Sequence, residues 1–136
     1  MAANLDAEWA RGRDQLSASL RAQLERGRAV TALDYQQAVA RIPIINAGFE
    51  EIFERCDAIL TPAAPGTAPK GLDATGDPSF CTLWTFAGMP AITLPLMQGA
   101  NGLPLGVQLV GARGTDARLL RTARWLVGAV AADAEV

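Results

Sequence analysis

Histidine is absent from the 136 residues, lysine and tyrosine occur once each (Lys70, Tyr35), and serine is confined to Ser17, Ser19 and Ser79. Without imidazole, Ser-His-Asp and Cys-His catalysis are excluded, as are metal sites built on histidine. A serine activated by lysine would need Lys70 beside one of the three serines. Ser17 and Ser19 fall in a charged segment that reads as helix, and Ser79, after Pro78, reads as the cap of a helix beginning near Phe80. Two cysteines, Cys56 and Cys81, allow one disulfide at most and no zinc-type cluster, so buried free thiols are expected. Basic residues are not in excess: 12 Lys and Arg face 14 acids, a net charge of −2, which excludes the positive field that nucleic acid or an anionic membrane would require. No run approaches the roughly 18 uninterrupted apolar residues of a membrane span, and the start lacks a basic stretch followed by an apolar one. A cytoplasmic location, with no membrane and no nucleic-acid partner, is the expectation. Neither G-x-G-x-x-G nor a P-loop occurs, so no cofactor and no metal are expected. The least ordinary carboxylates are Asp73 and Asp77, on a proline-rich stretch, where loop aspartates commonly organise turns.

What the chain does have is apolar surface. Half of the residues are hydrophobic before 13 glycines are counted, and only 19% are charged. The length suits one domain, which could bury roughly two-thirds of its surface. The apolar lean hints at a missing partner surface.

The pattern along the chain is ordered. Leu5, Trp9, Leu16, Leu20 and Leu24 recur at helical spacing with Gly12 as a weak point, and Gly27 is expected to end that helix. Thr31 with Asp34 three residues on reads as a second helix start. Its apolar stripe runs Tyr35, Val39, Ile42, Phe49, Phe53 and Cys56, interrupted at Asn46, and Pro43 predicts a kink or a join of two helices. Glu50, Glu51 and Glu54 fall on the solvated face. The run AILTP at 58–62 predicts a buried strand, and 62–78, with four prolines and three glycines, predicts a long loop that is either a binding loop or an unstructured linker. Apolar runs at 91–96 and 105–111 around Asn101-Gly102 predict an antiparallel hairpin. Gly114-Thr115-Asp116 opens a closing helix with a stripe at Leu119, Ala123, Leu126 and Val130. Helices alternating with apolar strands predict an α/β layered fold.

Three pieces then carry a resemblance. TGDPSFCTLWTFAGMPAITLP at 75–95, GLPLGVQLVG at 102–111 and DARLLRTARWL at 116–126 are similar in order and spacing to the C-terminal region of amidase-signature enzymes. DYQQAVARI at 34–42 and CDAILTPAAPGTAPK at 56–70 resemble that family's long helix, buried strand and proline-rich loop. The resemblance is clearest over 31–126 and treats 1–136 as a partial domain. It implies an α/β fold that is the C-terminal part of a large mixed sheet covered by helices. It implies descent from hydrolases of carbon–nitrogen amide bonds that use a serine, a second serine joined by a cis peptide, and a lysine base. Those residues belong to the family's N-terminal part, so no catalytic residue is carried over. The expectation is a segment that supplies sheet scaffold and part of a substrate pocket, and that is inactive by itself. Trp84 and Thr85, before Gly88-Met89-Pro90, and Pro65 on the loop match positions near the pocket wall, although Trp84 and Thr85 read equally well as buried structural residues. Gln108 and Arg113 read as strand and turn residues. The implied partners are an N-terminal amidase portion and a small-molecule amide, with self-association possible through open strand edges. The alternatives are a non-catalytic remnant or interaction module that keeps the fold, and a self-contained amidase using Ser79 or a cysteine.

Overall fold

Two of the helices begin where a hydroxyl side chain, Ser17 or Thr31, takes up a free amide group. The computed structural model describes residues 1–72 and 74–133. After a short 3-10 turn at Ala3–Leu5, helix α1 spans Asp6–Gly12, a second 3-10 turn Arg13–Gln15, and helix α2 Ala18–Ala29. The expected helix is therefore broken at Gly12. Ser17 caps α2, its hydroxyl accepting from the Leu20 amide at 3.3 Å. Gly27 does not end this helix: it lies inside α2, and a Cβ there would stand 3.0 Å from the Ala2 Cβ, so close packing explains the missing side chain. Thr31 starts helix α3 (Ala32–Arg55), its Oγ1 accepting from the Asp34 amide at 3.1 Å while its O–H donates to the Asp34 carboxylate at 2.6 Å. The Pro43 expectation fails in part, because α3 is one continuous helix through that residue.

The chain forms two compact units, Met1–Arg41 and Ile42–Val136. In the first, Leu24 is buried and Trp9 is flanked by two guanidinium groups, Arg13 at 4.7 Å and Arg28 at 5.2 Å from its ring centroid. Both arginines are held by carboxylates, Glu25 and Asp6, each at 2.6 Å. These exposed contacts contribute at most about 1 kcal/mol each.

The second unit is built on a three-stranded antiparallel sheet. Strands β1 (Ile59–Pro62), β2 (Ala91–Gln98) and β3 (Pro104–Val110) lie in the order β1-β3-β2. The expected hairpin is β2–β3, closed by Gly102 at φ 76°, whose amide donates to the Gly99 carbonyl at 2.9 Å. Helices α4 (Ser79–Ala87) and α5 (Asp116–Asp133) complete the layers. Alternation along β3 sends successive side chains to opposite faces. Val110 joins Trp84, Ala87 and Met89, with Ile45, Phe49, Phe53 and Ile59 against them. Leu109 joins Leu94, Leu119 and Ala123, with Ala58, Ile92, Leu96 and Leu126. This is the layered α/β arrangement that the alternating pattern predicted, although every pairing within these strands is antiparallel. β1 differs from its expectation in one respect: it is an edge strand, and Leu60 is 60% exposed.

Among the described residues of this unit, one polar residue is buried. Gln108, 2% exposed on the α4 face of β3, donates from Nε2 to Thr61 Oγ1 and to the Phe80 carbonyl, both at 3.2 Å, and its Oε1 accepts from the Cys81 thiol at 3.5 Å. A single side chain thus joins β3 to β1 and to the first turn of α4. Two positions before it, Gly106 leaves the space that this junction needs, since a Cβ there would stand 2.5 Å from Thr93 Cγ2 and 3.1 Å from Ala63 Cβ. Gln108→Leu keeps the volume but strands two part-buried acceptors, and is expected to lower stability by about 1–3 kcal/mol. Gly106→Ala crowds β1 and β2 together and is expected to cost a similar ~1–3 kcal/mol. Urea denaturation of both variants checks this; an unchanged midpoint for Gln108→Leu would show that the junction carries no stability.

Candidate functional site

The segment from β1 to β2 holds all the residues expected near a pocket, and local chemistry fixes its two ends. At its start, the Ala63 amide donates to the Gly106 carbonyl at 3.0 Å, extending the β1–β3 ladder by one step. The Ala68 amide then donates to the Pro104 carbonyl at 3.3 Å, and Asn101 Nδ2 to Thr67 Oγ1 at 3.1 Å. The first part of the proline-rich loop is therefore pinned to the hairpin, which favours the ordered of its two expected readings. At its end, the Asp77 carboxylate accepts from the Ser79 amide at 2.8 Å. Asp77 is a turn-forming residue, as expected. Ser79 is not the cap: it is the first residue of α4, behind Pro78, with no side-chain capping bond. Asp73 lies outside the described residues.

Helix α4 ends in a Schellman arrangement. Gly88 takes φ 68° and donates to the Thr85 carbonyl at 3.3 Å, while the Met89 amide donates to the Trp84 carbonyl at 3.0 Å. Only glycine adopts this backbone at little cost, and the turn sets Met89 against Trp84 in the same buried cluster. Trp84 is 9% exposed and meets Phe49 of α3 with ring centroids 5.5 Å apart, tilted by 60°. Asn46 adds a polar tie, donating from Nδ2 to the Ala87 carbonyl at 3.0 Å as well as to Ile42 O in its own helix. The residue that interrupted the apolar stripe of α3 is thus the one that holds the end of α4.

The three candidate pocket residues are distributed unequally. Trp84 points into the core. Thr85, the next residue on the helix, is exposed, and so is Pro65 on the loop. A groove of about 800 Å³ lies on the α5 side of the sheet between Leu60, Leu109, Trp125 and Leu126, rimmed by Asp57, Arg118 and Arg121. A smaller one of about 360 Å³ lies between Phe49, Phe53 and Met89, with Glu50, Glu54, Arg113 and Arg118 at its mouth. Neither is lined by Trp84, Thr85 or Pro65. Arg113 also lies over Gly88, with its Nε 3.7 Å from where a Cβ would be. Sequence reasoning placed Gln108 and Asn46 in secondary structure but missed the junctions they make; the only signal was a lone polar side chain within an apolar run.

Among the described residues no hydrogen bond joins Lys70 to a serine. Lys70 is exposed on the loop, Ser17 and Ser19 lie in the other unit, and Ser79 is exposed at the start of α4. Both cysteines are free; Cys56 is exposed, contrary to expectation, while Cys81 is half-buried with its thiol directed to Ala63 O at 3.6 Å and to Gln108. Among the described residues no group of three His, Cys, Asp or Glu side chains could hold a metal ion, and no helix is long and apolar enough to cross a membrane.

Known proteins are similar to this chain in sequence and fold. The A-type subunit of the glutamyl-tRNA(Gln) amidotransferase of Neisseria meningitidis (serogroup A) is 43% identical over 86 residues, covering 59% of this chain and 18% of its own. A crystal structure of an amidase superposes with a TM-score of 0.78 at 28% identity, covering 93% of this chain and 32% of that one. The 6-aminohexanoate cyclic dimer hydrolase in complex with its substrate shares the fold, with a TM-score of 0.69 at 23% identity over 95% of this chain and 32% of its own. The chain thus spans less than a fifth of the length of that curated relative and about a third of the solved chains. The amidase family model matches residues 5–120, from the Trp9 helix to the first turn of α5. With the motif order, the layered sheet and this match in agreement, the chain belongs to the amidase family.

Proposed function

We propose that this chain is the C-terminal segment of an amidase-signature hydrolase of carbon–nitrogen amide bonds, supplying sheet scaffold and one wall of the substrate pocket. The observation that carries the proposal is the family match over 5–120 in a chain that spans only 18–32% of its relatives and in which, among the described residues, no hydrogen bond joins Lys70 to a serine. On this reading the serine nucleophile, the cis-bonded serine and the lysine base come from residues outside these 136, and the chain alone hydrolyses nothing. The segment's own contribution is positional. Trp84, clamped by Phe49 and by the Gly88 turn, fixes α4; Thr85 then presents a hydroxyl, and Pro65 a rigid apolar edge, to the amide substrate.

The similarity to one component of an amidotransferase is compatible with work in a larger assembly. The exposed apolar side chains Leu60 and Trp125 also favour a segment that is completed by other residues over a self-sufficient interaction module.

The test is a chimera in which this chain replaces the matching C-terminal third of the amidase of known structure. It is expected to hydrolyse the host's amide substrate, whereas the 136-residue chain alone shows no turnover. In that chimera Thr85→Ala should leave the melting temperature nearly unchanged and lower kcat/KM by about fivefold, the worth of one hydrogen bond of ~1 kcal/mol. Trp84→Ala should instead destabilise the protein by about 3–5 kcal/mol. Turnover by the chain alone that is abolished by Ser79→Ala or Cys81→Ala would overturn the reading in favour of a self-contained site.

A further inference from the structure

The start of the proline-rich loop is an arch with both feet held. At the first foot, the Ala63 amide donates to the Gly106 carbonyl at 3.0 Å, and the Ala63 carbonyl accepts from the Cys81 thiol at 3.6 Å, which ties it to β3 and to α4 together. At the second foot, the Ala68 amide donates to the Pro104 carbonyl at 3.3 Å, and Thr67 Oγ1 accepts from Asn101 Nδ2 at 3.1 Å. Ala64, Pro65 and Gly66 span the gap, and Pro65, the middle residue, is exposed.

The hairpin turn prepares the second foot in two ways. Asn101 Oδ1 accepts from the Leu103 amide at 3.1 Å, which orients the side-chain amide and leaves its nitrogen for Thr67. Gly99 opens the same turn, its carbonyl accepting from the Gly102 amide at 2.9 Å, yet it is not among the glycines with positive φ, so its backbone does not demand glycine. A Cβ at Gly99 would overlap Thr67 Cγ2 and stand 3.0 Å from Asn101 Oδ1. The missing side chain is therefore explained by Thr67 seated against Asn101. A hydrogen-bond donor and a space left empty, from two different residues, select the same position of Thr67.

We infer that Asn101 is a positioning residue for substrate binding: through Thr67 it latches the arch, and so Pro65, where the substrate meets it, and it sets substrate affinity and not the rate of the chemical step. The inference rests on the proposed function, in which Pro65 lines the pocket wall, and identifies what keeps that part of the wall in place. A three-residue span fixed at both ends has little conformational freedom left to lose when substrate binds. With one foot released, binding must order the span again, which weakens it. The arch carries no reacting group, so the loss falls equally on bound substrate and transition state, and KM rises while kcat is kept.

The experiment compares variants within the amidase chimera. Thr67→Val removes the hydroxyl and keeps the shape, Asn101→Ala removes the donor, and Gly99→Ala displaces Thr67 while leaving both hydrogen-bonding groups present. Each is expected to raise KM about fivefold with kcat within about twofold of the parent. Combining Asn101→Ala with Thr67→Val should do no more than either alone. Asn101→Asp keeps the acceptor for the Leu103 amide and can accept from the Thr67 hydroxyl, so it should return KM to within about twofold of the parent. In the 136-residue chain itself, the Ala68 amide should exchange about tenfold faster in Thr67→Val, a readout independent of turnover. Unchanged Ala68 exchange, unchanged KM in Thr67→Val and Gly99→Ala, or a fall in kcat and melting temperature with KM preserved, overturns the latch and leaves the functional reading standing. An Asn101→Asp variant as impaired as Asn101→Ala also overturns it, because the hydrogen bond would then not be what holds the arch. A folded parent chimera without turnover overturns the functional reading and this inference together.

Discussion

Strand β3 is paired on both edges and covered on both faces, and every other element of residues 42–133 is positioned against it. Its odd and even residues divide the work. Val110 and Gln108 face α4 and the C-terminal half of α3, while Leu109 faces α5. Burying Leu109 and Val110 completely contributes about 1.5–3 kcal/mol each. Gln108 adds direction to that burial, because its amide must meet Thr61 and the Phe80 carbonyl together. A hydrophobic core tolerates small rotations of a helix; a buried amide with fixed partners does not.

That constraint leads to the candidate site. With the start of α4 tied to Gln108 and its end tied to Asn46 and the Gly88 turn, the helix has no freedom to roll. Trp84 is then committed inward and Thr85 outward. Of the two, the threonine is the exposed one, and the tryptophan anchors the helix that carries it. The opposite side of the sheet is less complete. There β1 ends the ladder, and Leu60 and Trp125 border a groove whose apolar floor lies open. One face of the same strand thus holds α4 in place, while the other carries a groove bordered by exposed apolar side chains.

Much of this was legible in the sequence because the deciding forces are local. Thr31 with Asp34, the Asn101-Gly102 reversal, and the stripe of Leu119, Ala123 and Leu126 each encode their element within a few residues, and the structure contains all of them. Where the reading failed, distant residues decided. Gly27 looks like a helix stop until Ala2 is found against it. Pro43 looks like a break, yet α3 continues through it, with Ile45, Phe49 and Phe53 beyond it packed against the core. The exposure of β1 could not be read from an apolar run, because it depends on what lies beside the strand. Gln108 and Asn46 were visible only as polar interruptions; their partners lie 28 and 41 residues away in the chain.

The packing of residues 42–133 depends most heavily on β3 being closed on both sides while β1 is open on one. Amide hydrogen exchange of the 136-residue chain, resolved residue by residue, measures this directly. The Gln108, Leu109 and Val110 amides should be the slowest in residues 42–133, at the limit set by global unfolding, while the outward Leu60 amide exchanges orders of magnitude faster. A Leu60 amide protected as strongly as Leu109 would contradict the open edge, and fast exchange at Leu109 would contradict the central place of β3.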